Sequence, residues 1–536
     1  MKRRANKQVI KLKNLKQLLS YASEKYGEAE AYSFYDLSDK KITVSFSQFQ
    51  SDITAFGAFL FSHGIKGHNT ALLGENCYEL IVALFSCAIG STAVMLDKSL
   101  SQDELKQKAL FSDCEYIICT KKYIEYAKYI SEYCNIKRIF CLEDFDNIIK
   151  NGELILKGDN SYKEYEPEND SVAIIAFTSG TTGESKGVPL THSNLMSDAL
   201  SACENVFAYG CTVLSLPLNH TFAITVNIIV PIYYGMCVHI CSSLRYLQRD
   251  IKDTDATAAV FVPLMVENIH KQILYQAKKK GKEKSLRRAI KTCGILLKHG
   301  IDIRKRLFSD VLNEFGGKLR LIICGGAPLS STVVSDLCSM GIELLNGYGI
   351  NECSPVVSVN KNHMNIHGSA GKILSCNEVK ISAQGEILVR GSNVIKGYYK
   401  DNEATNAAFT SDGWFKTGDL GYINKDGYLF ITGRIKNLII MSNGENVSPE
   451  ELEAKLFEIP FVKEAVVLED EGIIAAEIYS DNDTAEHRAV IGEAVKELNS
   501  TNPAYKKIED IRFRDEPFKK TTTMKIKRDY RTVRRN

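Results

Sequence analysis

Val172-Ala173-Ile174-Ile175-Ala176-Phe177-Thr178-Ser179-Gly180-Thr181-Thr182-Gly183-Glu184-Ser185-Lys186-Gly187 is the stretch on which the reading of this chain turns. Its first six residues, rich in Ile and Val, read as a buried strand. The strand then breaks into glycines, hydroxyl side chains and a lysine. Such a loop suits phosphate: glycines let backbone N–H groups approach an anion, hydroxyls donate further hydrogen bonds, and lysine adds a point charge. The spacing is not that of a Walker A loop, which needs Gly, four residues, then Gly-Lys-Ser/Thr. A flexible Ser/Gly surface loop is the alternative for this composition. The abrupt change from strand to loop argues against it.

Outward from the loop, short apolar runs alternate with helical stretches to about residue 430: Thr70 to Leu73, Ala93 to Leu96, Tyr116 to Cys119, Arg138 to Cys141 and Leu321 to Cys324. Each is short enough for a buried parallel strand, which predicts an α/β organisation. From Val379 to Phe430 short strands with turn signals at Asp412-Gly413 and Asp426-Gly427 predict a small β-subdomain. After Arg434, Ser448-Pro449-Glu450-Glu451 predicts a helix start with serine as N-cap and proline at the first helical position.

At 536 residues the chain exceeds a single core and implies two or three subdomains. Its 44% hydrophobic and 25% charged residues are ordinary for a soluble globular protein. Fifteen scattered cysteines without a C-x-x-C pair read as free thiols in a reducing, cytoplasmic compartment. Met1-Lys2-Arg3-Arg4 lacks a following apolar segment, so no signal peptide is expected. Phe222 to Cys241 carries no Asp, Glu, Lys or Arg, yet Asn227, Pro231, Gly235 and His239 favour a buried helix leading into a central strand, Met236 to Ile240, over a membrane span.

The net charge of +2 conceals segregation. Residues 271–320 hold fifteen Lys/Arg against four Asp/Glu, and the last eighteen residues eight against one. A solvated face is one reading. Docking of something acidic is the other: coenzyme A phosphates, an acidic acyl carrier protein, or an anionic membrane surface. No nucleic-acid module is legible, so nucleic acid is not expected as a partner.

Further motifs follow in order. Cys324-Gly325-Gly326-Ala327-Pro328 is a strand end with a glycine turn. In Asn346-Gly347-Tyr348-Gly349-Ile350-Asn351-Glu352, a tyrosine beside glycines offers a flat face to adenine, and Glu352 suits Mg²⁺, which takes hard oxygen ligands shared with substrate phosphates. Gly418-Asp419 and Gly433-Arg434-Ile435-Lys436 come next, then the basic segment Lys519 to Arg528.

Together these motifs resemble those of the adenylate-forming, AMP-binding superfamily, most like its fatty-acid and acyl-CoA ligases, and the resemblance covers nearly the whole chain. It implies a large N-terminal domain over 1–433, with two parallel-type sheet subdomains plus a small β-subdomain, and a small mobile α+β lid domain over 434–536. It implies that Thr178, Ser179, Gly180, Thr181, Thr182, Gly183 and Lys186 hold the ATP phosphates. Gly326, Ala327, Pro328, Asn346, Gly347, Tyr348, Gly349 and Asn351 would frame the nucleotide. Asp419 would take the ribose hydroxyls, Arg434 would reach the nucleotide, and Lys436 would be the hinge. Lys525 would bring the acyl carboxylate to the α-phosphate. Thr178 and Glu352 would assist, Glu352 by holding Mg²⁺, and His220 in Leu216-Pro217-Leu218-Asn219-His220-Thr221-Phe222 would lie near the acyl group. Three positions depart from the family pattern: Asn351 stands for the usual threonine, Met524 for glycine and Lys519 for proline.

The implied reaction is attack of a carboxylate on the α-phosphorus of ATP, then transfer of the acyl group from AMP to a thiol, coenzyme A or a carrier protein's phosphopantetheine. Alignment and charge neutralisation carry such chemistry. Between Asn205 and Arg249 there is no Asp or Glu. A buried substrate ammonium there would lack a counter-charge, which favours an apolar acid. The alternatives are a stand-alone amino-acid adenylation enzyme serving a separate carrier protein, and a non-catalytic nucleotide-binding relative.

Overall fold

The computed structural model describes residues 10–178, 185–327, 329–441, 444–480, 483–520, 526 and 528. Two large sheets carry the N-terminal four-fifths. The first orders its strands Arg138–Cys141, Cys114–Cys119, Asn69–Leu73, Thr92–Met95, Val172–Phe177 and Gly187–Thr191. All neighbours are parallel except the last pair. These are the apolar runs expected from the sequence, short and largely free of charge because helices cover the sheet. The helix Tyr78–Gly90 buries every residue but Glu79.

The second sheet has thirteen strands. Its parallel centre runs from Glu30–Tyr35 through Cys237–Ile240, Cys211–Leu214, Ala258–Phe261 and Leu321–Cys324 to Glu343–Gly349. From there the pairing turns antiparallel through Val356–Val359 and Gly371–Ile373 to the strands Tyr428–Arg434, Phe415–Ile423, Glu386–Gly391 and Asn377–Ile381. The expected small β-subdomain is therefore present as an antiparallel wing continuous with the larger sheet.

The uncharged stretch after Phe222 is buried, as a helix Thr221–Ile224, a wider turn Thr225–Ile229, a helix Val230–Tyr234 and then the strand Cys237–Ile240. Asn227, fully buried, donates to the Val213 carbonyl at 3.0 Å, which satisfies its amide in the core. No helix among the described residues is long and apolar enough to cross a membrane.

Beyond Arg434 a three-stranded sheet, Glu464–Asp470, Ile473–Tyr479 and Ile508–Arg514, packs with the helices Pro449–Leu456 and Ala485–Thr501 around its own apolar core. Ser448 does occupy the N-cap of Pro449–Leu456, but it makes no capping bond. Its hydroxyl instead donates to the Thr432 carbonyl at 2.7 Å, so proline alone shapes the helix start and serine ties it back to the preceding strand. All fifteen cysteines are free and none is exposed.

Candidate active site at the strand ends of the two sheets

Thr178 ends the strand Val172–Phe177, and Lys186 precedes the antiparallel strand Gly187–Thr191. The phosphate-type loop is thus a hairpin connection, with Phe177 opposite Gly187. Its neck is closed twice: the Thr178 N–H donates to the Lys186 carbonyl at 3.1 Å, and the Lys186 N–H donates to Thr178 Oγ1 at 3.2 Å. Ser179, Gly180, Thr181, Thr182 and Gly183 lie outside the described residues, as do Pro328 and Lys525. Two cations flank the neck. Lys186 Nζ lies 4.6 Å from the Tyr398 ring centroid and Lys108 Nζ 4.1 Å from that of Phe177. Burial pushes the Lys108 ammonium down to about 8.

The second motif sits where the larger sheet changes sense. Asn346 pairs with Cys324 on the parallel side, and Gly347 pairs with Val359 on the antiparallel side. Ligand sites of open α/β sheets form at strand carboxyl ends where topology switches. Glycine is needed at 349, because a Cβ there would stand 2.0 Å from the Pro355 carbonyl oxygen. The chain then turns through Asn351–Cys353, presenting Asn351 and Glu352 toward the first sheet.

There the two sheets meet. The Asn351 amide donates to the Phe177 carbonyl at 3.2 Å, and the Thr221 hydroxyl donates to Asn351 Oδ1 at 2.7 Å. One side chain therefore joins the strand Val172–Phe177, the segment Leu216 to Phe222 and the glycine–tyrosine motif. Glu352 Oε1 accepts from the Tyr398 hydroxyl at 2.8 Å. Burial raises the Glu352 carboxyl, while Tyr398 and the charges of Arg434 and Lys186 oppose that shift.

The turn carrying Glu352 is anchored from beneath. Asp198, fully buried, accepts from the Val356 N–H at 3.2 Å and from Asn393 Nδ2 at 2.9 Å. Asn393 Nδ2 also donates to the Cys353 carbonyl at 2.8 Å.

Asp419 and Arg434 face each other across neighbouring strands. Asp419, 4% exposed, accepts from Arg434 Nε at 2.6 Å and from the Tyr348 hydroxyl at 2.7 Å. Tyr348 is held by its hydroxyl, so its ring orientation is set by Asp419. Burial, then the Asp419 charge, raise the Tyr348 hydroxyl well above the ordinary phenol range.

Gly325 ends the strand Leu321–Cys324, and a Cβ there would meet the Phe222 ring at 3.3 Å. Gly326 has φ +94°, the left-handed region glycine favours, and the neighbouring Ala327 is exposed. His220 is half-buried at the N-cap of Thr221–Ile224. Asn76 of the first sheet's connections fastens this motif, donating to the Leu216 carbonyl at 2.8 Å and accepting from the Leu218 N–H at 3.2 Å. Lys436 lies exposed in the turn Ile435–Asn437.

The site thus gathers Thr178, Lys186, His220, Asn351 and Glu352 about one seam, with Asp419, Tyr348 and Arg434 linked beside it. Sequence reading missed Tyr398, Thr221, Asp198 and Lys108. Thr221 sits beside His220 in the segment Leu216 to Phe222, and nothing local marks its hydroxyl as a partner of Asn351. The other three carry no local signal, since their roles come from partners far along the chain.

Residues 19–399 match the family described as AMP-binding enzyme. The long-chain-fatty-acid–CoA ligase FadD15 of Mycobacterium bovis is 28% identical over 461 residues, 80% of this chain and 75% of that one. Long-chain-fatty-acid–CoA ligase 5 of Rattus norvegicus is 29% identical over 76% of this chain and 66% of its own length. Among solved structures, the o-succinylbenzoate CoA synthetase of Bacillus subtilis with its acyl-adenylate intermediate superposes with TM-score 0.75 at 23% identity, covering 97% of this chain and 98% of that one. That likeness establishes the shared α/β architecture.

Proposed function

The chain belongs to the AMP-binding enzyme family, and from that premise we propose that it is an AMP-forming acid–thiol ligase acting on a fatty or other apolar acyl acid, with coenzyme A as the acceptor. What carries the reading is the seam at Asn351 and Glu352, where the phosphate-loop strand, the acid-pocket motif and the tyrosine motif are hydrogen-bonded into one unit.

In this reading ATP lies along the seam with its phosphates over Thr178 and Lys186 and its ribose toward Asp419. Lys186, whose ammonium lies 4.6 Å from the ring of the Tyr398 that holds Glu352, neutralises phosphate charge. Glu352 fits a Mg²⁺ ion: it is a hard-oxygen carboxylate whose Oε1 accepts from the Tyr398 hydroxyl, which leaves acceptor capacity for a metal. Mg²⁺ takes one or two carboxylates plus substrate phosphates, and when bound it neutralises charge on the phosphate oxygens. Tyr398 holds Glu352 in place. The fatty-acid assignment is supported by the names of the sequence relatives and by the absence of Asp and Glu between Asn205 and Arg249. Lys525 is assigned to the carboxylate and α-phosphate, with residues 434–536 as a lid turning at Lys436 so that the thiol reaches the acyl-AMP.

ATP–pyrophosphate exchange across fatty, aryl and amino acids tests this, with Lys525→Ala alongside. Exchange driven by fatty acids and lost in the variant is expected, followed by thioester formation on adding coenzyme A. Exchange driven by amino acids, or by no acid in a protein that binds AMP, overturns the proposal.

A further inference from the structure

The parallel pairing of Cys211–Leu214 with Cys237–Ile240 sets Cys211 directly beside Cys237, so both thiols share one face of the larger sheet. Neighbouring strands run about 4.8 Å apart, and a disulfide accepts Cα separations of about 4.4–6.8 Å. The two thiols already share a hydrogen bond. Cys211 is buried and Cys237 half-buried, each as the first residue of its strand. They lie at the amino ends of the strands, whereas the seam lies at the carboxyl ends. On the same face a row of polar groups leads away from Cys237. Its Sγ donates to Ser33 Oγ at 3.6 Å, and Ser33 Oγ lies 2.9 Å from Nδ1 of His239, with which Ser33 pairs across the next two strands. His239 Nε2 faces Asp250 Oδ2 at 3.7 Å, and neither atom has a hydrogen-bond partner among the described residues. Ser33, His239 and Asp250 are all buried. Imidazole is the group of this row suited to taking up a proton near neutral pH, and Asp250 is placed to oppose the charge of the imidazolium.

A second pair shares this register and differs in its surroundings. Cys119 stands beside Cys141 on the parallel strands Cys114–Cys119 and Arg138–Cys141. There Cys141 Sγ donates to the Glu143 carboxylate at 3.1 Å, a neighbour that opposes a thiolate. Cys237 has a hydroxyl and an imidazole where Cys141 has a carboxylate, and the hydrogen bond from Cys211, working against burial, holds the Cys237 thiol below its ordinary value. We propose that Cys211 and Cys237 are a site of reversible oxidation by peroxide, with Cys237 the attacking thiolate, Cys211 the resolving thiol, and Ser33 passing the Cys237 proton to His239. The Cys237 thiolate attacks one peroxide oxygen and breaks the O–O bond, giving a sulfenic acid and hydroxide. The proton held on His239 converts that hydroxide to water. Cys211 sulfur then attacks Cys237 sulfur, and the sulfenic hydroxyl leaves with the Cys211 proton as a second water. Two thiols supply the two electrons that reduce the peroxide, and a dithiol reductant reverses the bond. This goes beyond the ligase reading and does not depend on it.

The test is peptide mass mapping of the full reduced chain after treatment with hydrogen peroxide and alkylation of the remaining thiols. A Cys211–Cys237 cross-link, lost on adding dithiothreitol, is expected before any between Cys119 and Cys141. Cys211→Ser should stop at a sulfenic acid on Cys237 that dimedone captures. Ser33→Ala interrupts the proton path and should slow formation of the cross-link at least about tenfold, less than the hundredfold or more typical of a positioned proton acceptor, because solvent also reaches half-buried Cys237. Tm is measured for both variants, and if either unfolds the mapping of the unaltered chain still decides. No cross-link between Cys211 and Cys237, a Cys119–Cys141 cross-link that forms first, dimedone on other cysteines but not on Cys237, or a folded Ser33→Ala that oxidises as fast as the unaltered chain overturns the proposal.

Discussion

Replacing Thr221 by valine is the sharpest probe of the seam. The side chain is 1% exposed, and its hydroxyl donates to Asn351 Oδ1 at 2.7 Å. Valine keeps the shape and removes the donor. Leaving a buried acceptor without its donor costs about 1–3 kcal/mol, and the half-buried state of Asn351 selects the lower end, about 1–1.5 kcal/mol. If that bond holds Asn351 and Glu352 in the arrangement the reaction uses, the loss is felt in the transition state, where 1.4 kcal/mol is about tenfold. The assay is ATP–pyrophosphate exchange under kcat/KM conditions, with Tm measured in parallel. Thr221→Val should lower exchange about tenfold and Tm only slightly. Combined with Asn351→Ala it should show a coupling of at least about 0.5 kcal/mol, because the two side chains share one bond. Additive effects of the two substitutions, or unchanged exchange in Thr221→Val, would refute the reasoning and reduce the contact to packing.

Four further outcomes follow from the geometry. Asp419→Ala strips Tyr348 and Arg434 of their shared acceptor; Arg434 is half exposed, so stability should fall by about 1–2 kcal/mol, while AMP affinity measured by calorimetry falls by more than tenfold. His192 is buried with its Nδ1 accepting from the Leu15 N–H at 3.3 Å, and burial holds its imidazole down at about 4. A folded-state value below the unfolded 6.5 means its stabilisation is complete above pH 6.5 and lost as pH falls through 4, about 3 kcal/mol in all, so His192→Gln should flatten the urea midpoint over that window. Gly349→Ala forces a Cβ to within 2.0 Å of the Pro355 carbonyl and should lower both Tm and exchange, while Gly492→Ala, in a helix with nothing within 4 Å, should add about 0.5–1 kcal/mol to stability.

Much of the scaffold was legible before any coordinates. The apolar runs at 70–73, 116–119 and 321–324, and 93–96 up to Met95, are strands because short apolar segments flanked by turns bury both faces in a helix-covered sheet, while 138–141 is the edge strand with Arg138 exposed. The uncharged stretch after Phe222 was readable as core, since its polar residues break up a span yet can be satisfied within a protein. Continuity of the antiparallel wing with the larger sheet was not readable, because the pairing of Val356–Val359 and Gly371–Ile373 with each other and with their outer neighbours leaves no trace in local pattern.

The chain alone determined its strand runs, its glycine turns and the order of its motifs, because period, turn chemistry and close backbone approach are local properties. Even Ser448 was located correctly as the start of a helix, though its hydroxyl serves the neighbouring strand. Tertiary structure alone decided who touches whom. Thr221 and Asn351 are separated by 130 residues, Phe177 and Asn351 by 174, and Tyr398 and Glu352 by 46. A hydrogen bond a few ångströms long depends on sheet order and on the depth of burial that makes each polar group find a partner, and both are set by the packing of the whole chain.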